Sequence, residues 1–280
     1  MIRFLAVDLD GTLLDSHGQI PERNRAAIAR AVAAGVEVAI ATGRRYDFAL
    51  PILAQLPVPL TLILSNGAIV KDCAGTTLMR RLLPAAAARD VLARTLAHRA
   101  SAALIFDRPR VGQVVFEKID WEHPRHRRFF EANRPFVSEV APLETALVED
   151  PVQVMFTGTC GTMRLLYDSL RSNGQNGQAY SVALTEYQHR DFSLVDIVQA
   201  GCSKGTALHA WSERQGLTQD QVMAIGDNLN DLEMLEFAGR PVVMGNAVAD
   251  LKARGWPVTA TNDDAGVGAA IETFLFPEAS

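Results

Sequence analysis

The chain has 280 residues, 48% hydrophobic and 21% charged, which is the usage of a globular protein of about two domains and not of a disordered chain. A formal net charge of −5 argues against nucleic acid or an anionic membrane surface as the main partner. Cys73, Cys160 and Cys202 lie far apart with no CxxC, which argues against a disulfide framework or a thiolate zinc centre and for a reducing compartment.

The first apolar run, residues 2–7, stops at Asp8-Leu9-Asp10-Gly11-Thr12 and predicts a buried strand followed by a tight turn. It is too short for a secretory signal, and no stretch of about 18 apolar residues follows, so a soluble cytoplasmic protein is expected. Over residues 22–34, Ala27, Ile28, Ala31 and Val32 share one helical face, with Pro21 opening the helix and Gly35 closing it. Residues 36–41 predict a second buried strand, stopping at Thr42-Gly43-Arg44-Arg45. A third, over 60–64, stops at Ser65-Asn66-Gly67. Strands alternating with helices predict a parallel sheet covered by helices. The pattern changes over 84–196. There a helix is expected at 85–98, strands at 101–106, 111–116 and 152–157, and a turn or loop at 172–177. After Gly201 the first pattern returns, with a helix at 205–215, a strand at 221–225, a helix at 232–237, a strand at 241–244 and a closing helix at 265–274. Gly266 and Gly268 read as the start of that last helix, since a dinucleotide loop would need a third glycine. The expected fold class is α/β, with a parallel-sheet core built from residues 1–83 and 197–280 and an α+β insertion over 84–196. The acidity concentrates in the core.

The chemistry-bearing residues gather at strand ends. Asp8 and Asp10 are two apart, so on a strand their carboxylates would share one space. Two close carboxylates cannot ionise equally, which suits one to attack and the other to donate a proton. Gly11 permits the sharp turn and the Thr12 hydroxyl can fix it; a polar strand end with an Asx turn is the plainer alternative. Asp227 and Asp231 sit at a helix start, where the dipole favours them and ordinary capping would also place them. Together with Asp8 and Asp10 they read as a hard-cation site, whose oxygen-only donor set suits magnesium. Thr42, Gly43 and Arg44 could hold a phosphate with a hydroxyl and main-chain N–H groups, or simply turn the chain. Lys204 is a cation at a helix start, against the dipole, which an anionic partner would explain and an exposed surface position would not need.

Asp8-Leu9-Asp10-Gly11-Thr12, Thr42-Gly43-Arg44, Lys204 and Gly226-Asp227-Asn228-Leu229-Asn230-Asp231 occur in order, each after an apolar strand or at a helix start. In this the chain resembles the haloacid dehalogenase (HAD) superfamily of phosphatases. Ser65-Asn66-Gly67-Ala68 and the long insertion before Lys204 resemble its Cof-type branch. The resemblance implies a Rossmann-like core with an inserted cap that sets specificity. It implies a magnesium-dependent phosphatase of small phosphorylated metabolites, such as sugar phosphates. Asp8 would attack phosphorus and form an aspartyl-phosphate, and Asp10 would protonate the leaving oxygen and then activate water. Thr42, Gly43, Lys204 and Asn230 would hold the phosphoryl group. Asp8, the Asp10 carbonyl and Asp227 would bind Mg2+, with Asp231, Thr12, Arg44 and Asn66 in support.

Two rivals share part of this chemistry. A phosphomutase uses the same aspartyl-phosphate step, and a receiver module is phosphorylated on Asp to change its partner. Against the receiver stand Asp10, poised two residues after the nucleophile, and the insertion. The basic run His123-Pro124-Arg125-His126-Arg127-Arg128 reads as a solvated face and Cys202 as a small filler. His17, His98, His189 and His209 show no ligand spacing. The motifs carry no information on oligomeric state.

Overall fold

The computed structural model describes residues 1–122, 127–172, 179–187 and 191–277. Residues 123–126 of the basic run, 173–177 of the expected loop and His189 lie outside them. Short Val/Ile/Leu/Ala runs bounded by glycine or polar turns form short buried strands, as their lengths and flanks dictate. In chain order these are β1 (Phe4–Asp8), β2 (Glu37–Ala41), β3 (Thr61–Leu64), β4 (Ile69–Asp72), β5 (Thr77–Arg80), β6 (Ala102–Ile105), β7 (Val114–Phe116), β8 (Val137–Glu139), β9 (Gln153–Gly158), β10 (Tyr180–Tyr187), β11 (Phe192–Gln199), β12 (Val222–Gly226) and β13 (Arg240–Val243). The α-helices are α1 (Glu22–Ala33), α2 (Tyr46–Leu53), α3 (Ala85–Arg94), α4 (Arg127–Asn133), α5 (Cys160–Ser172), α6 (Lys204–Arg214), α7 (Leu232–Phe237), α8 (Ala249–Lys252) and α9 (Gly266–Leu275). The chain forms two compact units, one from Met1–Arg80 with Cys202–Ser280, the other from Arg81–Gly201.

The first unit holds a seven-stranded sheet in the order β13-β12-β1-β2-β3-β4-β5. Its first five strands run parallel, and the β4–β5 hairpin extends it antiparallel. Because β1, β2, β3 and β12 are parallel, their C-terminal ends emerge at one edge. Asp8 pairs in register with Ala41, and Gly226 with Val243. The turns that follow therefore crowd together, which is where open parallel sheets bind ligands. Helices α1 and α9 pack on each other, as do α6 and α7. The β4–β5 hairpin and α2 fall outside the expected elements. The first has strands of four residues with no clean alternation, and the second carries Pro51 inside it.

The second unit holds a six-stranded sheet in the order β10-β11-β9-β6-β7-β8, antiparallel except for β7–β8. Alternate residues Val154, Phe156, Val195 and Ile197 are fully buried, and Met163, Leu166 and Leu170 of α5 are buried with them. The helix expected over 85–98 stops at Arg94, because the Thr95 hydroxyl donates to the Val91 carbonyl (2.7 Å) and the chain tightens into a 3-10 turn over Leu96–Ser101.

Arg99 at that turn joins three segments of the second unit. It donates to Glu117 from Nε (2.9 Å) and to Glu144 from Nη1 (2.7 Å). Those hydrogen bonds hold both carboxyls below their ordinary value of 4.5. Their contribution is therefore complete above about pH 4.5 and is lost as pH falls through the lowered values. Arg99→Met is expected to cost about 1 kcal/mol near neutrality, since each carboxylate is about one-third exposed. Urea melts should show that deficit shrinking as pH falls progressively below about 4.5; a constant deficit would assign the loss to packing.

Candidate active site

Asp8 is the last residue of β1 and is 4% exposed. The chain leaves the strand through a wide turn over Leu9–Leu13, closed by the Leu14 N–H donating to the Leu9 carbonyl (2.9 Å). Gly11 takes φ +84, and a Cβ there would stand 2.4 Å from Asp227 Oδ2, so only glycine lets the turn pass this close to that carboxylate. The Thr12 hydroxyl then donates to Asp227 Oδ1 (2.9 Å). Asn246 Nδ2 donates to the Gly11 carbonyl (2.7 Å) and Asn24 Nδ2 to the Leu13 carbonyl (3.3 Å).

Lys204 opens α6. Ser203 caps that helix by accepting from the Thr206 N–H (3.0 Å), and its own hydroxyl donates to Glu233. The Lys204 ammonium, with its side chain fully buried, donates to Asp8 Oδ1 and Asp231 Oδ1, each at 2.6 Å. Asp231 Oδ2 accepts the N–H groups of Asp227 and Asn228, each at 3.0 Å. Both oxygens of Asp231 are thereby engaged, and it acts as the brace between Lys204 and the loop after β12.

Carboxylate oxygens of Asp8, Asp227 and Asp231 lie within 4.8 Å of one another, all buried, against the single ammonium of Lys204. Burial and then the Asp231 charge push the Asp8 carboxyl up to about 7 despite Lys204. Burial followed by Asp8 holds Asp227 well above its ordinary value. Burial would lower Lys204, but the two carboxylates outweigh it and keep the lysine charged. Such an excess of buried negative charge, presented only by oxygen, fits a divalent hard cation.

Asp10 departs from the expected arrangement. The strand ends at Asp8, so the period of two does not extend to Asp10, and its carboxylate does not join the buried cluster. It meets Arg44 in a two-point fork, Nε to Oδ2 at 2.7 Å and Nη2 to Oδ1 at 2.5 Å, with both side chains 22% exposed. Arg44 lies 4.7 Å from the Phe48 ring centre, and its N–H donates to the Thr42 hydroxyl (3.1 Å). Thr42 is 1% exposed at the end of β2. Asn230 Nδ2 donates to Asn66 Oδ1 (3.0 Å), while Asn230 Oδ1 is buried without a partner.

The structure thus gathers Asp8, Thr12, Lys204, Asp227 and Asp231 into one network, pairs Arg44 with Asp10 and pairs Asn66 with Asn230. Sequence reasoning passed over Asn24, Ser203 and Asn246, which fix the turns. Asn24 carried a signal, as a polar residue on the buried face of α1 that also bears Ala27, Ile28 and Ala31.

Residues 5–271 match the haloacid dehalogenase-like hydrolase family. The chain belongs to the haloacid dehalogenase-like hydrolases. It is 32% identical to pyridoxal phosphate phosphatase YbhA of Escherichia coli, over 90% of this chain and 91% of that one. It is 27% identical to phosphatase YwpJ of Bacillus subtilis, over 98% and 100%. Among solved structures, a haloacid dehalogenase-like hydrolase from Bacteroides thetaiotaomicron superposes with a TM-score of 0.77 at 25% identity, over 98% and 99% of the two chains. The superposition on that structure takes in residues of both units of this hydrolase. No helix among its described residues is long and apolar enough to cross a membrane.

Proposed function

We propose that this hydrolase removes phosphate from small phosphorylated metabolites, sugar phosphates or similar monoesters, through an aspartyl-phosphate on Asp8. The observation that carries the reading is the buried Asp8 carboxylate, gripped by a fully buried lysine at the shared edge of four parallel strands. Lys204 fixes one oxygen of Asp8 and offsets the charge that the attack brings together. Thr42, the Gly43 main chain and Asn230 hold the transferred group. Phosphoryl transfer needs positioning and charge neutralisation above all, and a carboxylate nucleophile divides it into two easier steps. Asp10, outside the cluster and reachable by solvent, protonates the leaving oxygen and later takes the proton of the attacking water. Asp8, Asp227 and the Asp10 carbonyl would hold magnesium, which when bound supplies positive charge to the phosphate oxygens. Asp231, already saturated by Lys204 and two N–H groups, braces the set. The second unit supplies selectivity among leaving groups.

The named activities of the relatives support this reading, pyridoxal phosphate being the substrate in the name of the E. coli protein. The test is turnover of an aryl phosphate with added magnesium. Many turnovers per chain are expected. Activity should vanish with EDTA, return with magnesium and return poorly with calcium, whose larger and looser coordination misplaces the nucleophile. A single turnover would favour a receiver, and full activity after exhaustive chelation would remove the metal from the proposal.

A further inference from the structure

The turn Ser65–Gly67 after β3 contributes no group that touches the substrate in the chemistry above, yet its backbone is unusual. Ser65 and Asn66 both take left-handed backbone, φ +49 and +52, which asparagine tolerates and serine rarely adopts. The surroundings here are three loops. The Asn66 N–H donates to the Thr42 carbonyl (3.1 Å) and the Ser65 N–H to the Arg44 carbonyl (3.0 Å). The Asn66 carboxamide lies against Gly43, since a Cβ on residue 43 would be 3.3 Å from both its oxygen and its nitrogen. Its oxygen accepts from Asn230 Nδ2 (3.0 Å) in the loop after β12. One residue later Gly67, φ +95, runs so close to α6 that a Cβ there would stand 2.1 Å from the carbonyl of Ser203, the residue before Lys204. A turn of three residues therefore touches the loop after β2, the loop after β12 and the start of α6.

We infer that Asn66 is a positioning residue for the phosphate-holding groups, acting through Asn230. The inference rests on the phosphatase reading, which gives Thr42, Gly43, Asn230 and Lys204 one ligand. A carboxamide can present either edge to a ligand, and its neighbours decide which. Among the described residues Asn66 is the side-chain partner of Asn230, and Asn230 Oδ1 has no partner. Asn66, 1% exposed and clamped by its own main chain to Thr42, is thus what fixes the direction of the Asn230 amide and its spacing from Gly43.

The test is a double-mutant cycle read two ways, as kcat/KM on p-nitrophenyl phosphate and as the Kd of inorganic phosphate by calorimetry. Asn66→Gly keeps the left-handed turn and removes only the carboxamide. Asn66→Asp also suits that backbone and keeps the acceptor for Asn230. Asn230→Ala is expected to lower kcat/KM by roughly 10- to 100-fold in the wild-type and Asn66→Asp backgrounds, the range below that of a strong transition-state donor. In the Asn66→Gly background the same substitution should change it by no more than about threefold, because the contact is already lost. The phosphate Kd should follow the same pattern. Equal effects of Asn230→Ala in all three backgrounds would overturn the inference and make Asn66 merely structural. Wild-type protein that neither turns over the ester nor binds phosphate would overturn the phosphatase reading and this inference with it. A working wild type with additive effects sinks only the inference.

Discussion

Asp8→Asn is expected to leave no phosphoenzyme to trap after acid quench and to lower kcat by at least about 10⁴-fold, because the proposed covalent nucleophile is lost. The substitution keeps the shape of the side chain and removes the attacking charge. It does not strand Lys204, which retains Asp231 at 2.6 Å. It also removes one of three mutually repelling buried carboxylates, so the protein stays folded, and a urea midpoint at or above that of the wild type is expected. Retained folding with lost chemistry separates this result from collapse of the site. A phosphoenzyme recovered from Asp8→Asn would move the nucleophile elsewhere.

Asp10→Asn divides the two steps. Its main-chain carbonyl is unchanged, while the group proposed to give and take the proton is gone. A sugar alkoxide needs that proton to leave; a nitrophenolate does not. Single-turnover phosphorylation should therefore fall about 10²- to 10⁴-fold on a sugar phosphate and far less on an aryl phosphate. Steady-state turnover should fall on both, since water attack on the phosphoenzyme needs the base. Rapid-quench kinetics on the two esters reads the split, and equal loss on both would reassign the role of Asp10. The fork to Arg44 sharpens the expectation. The fork engages one site on each Asp10 oxygen, so Arg44 competes with a leaving group for that carboxylate in the proposed proton transfer.

What the sequence made legible followed from local rules that the fold did not override. Apolar runs ending in polar turns gave the strands of the core, and Pro21 and Gly35 bracketed α1 as expected. Lys204 stood out because a cation at a helix start opposes the dipole, and the structure supplies the two anions that explain it. Asp10 lies beyond the reach of the strand period that related it to Asp8: periodicity describes a strand only while the chain remains one, and at Leu9 it turns away, although the Asp10 charge still acts on Asp8. The β4–β5 hairpin was illegible because four-residue strands have too few side chains to set a period. Asn66 and Gly67 marked a turn, but their contacts with Thr42, Asn230 and Ser203 join segments distant in sequence, and no local rule encodes those.

The placing of Arg81–Gly201 inside the other unit means that the two units are completed at different times during synthesis. The second unit is one unbroken stretch, complete once residue 201 has emerged. The first is severed: β1 is synthesised early, yet its neighbour β12 follows only after the whole insertion. Until then the edge of β1 that will receive β12 lacks its partner, and Asp8 lacks Lys204, Asp227 and Asp231. The nascent chain thus carries Asp8 long before the residues that surround it in the folded site, and a continuous second unit able to fold on its own would shorten the loop that the outer unit must close.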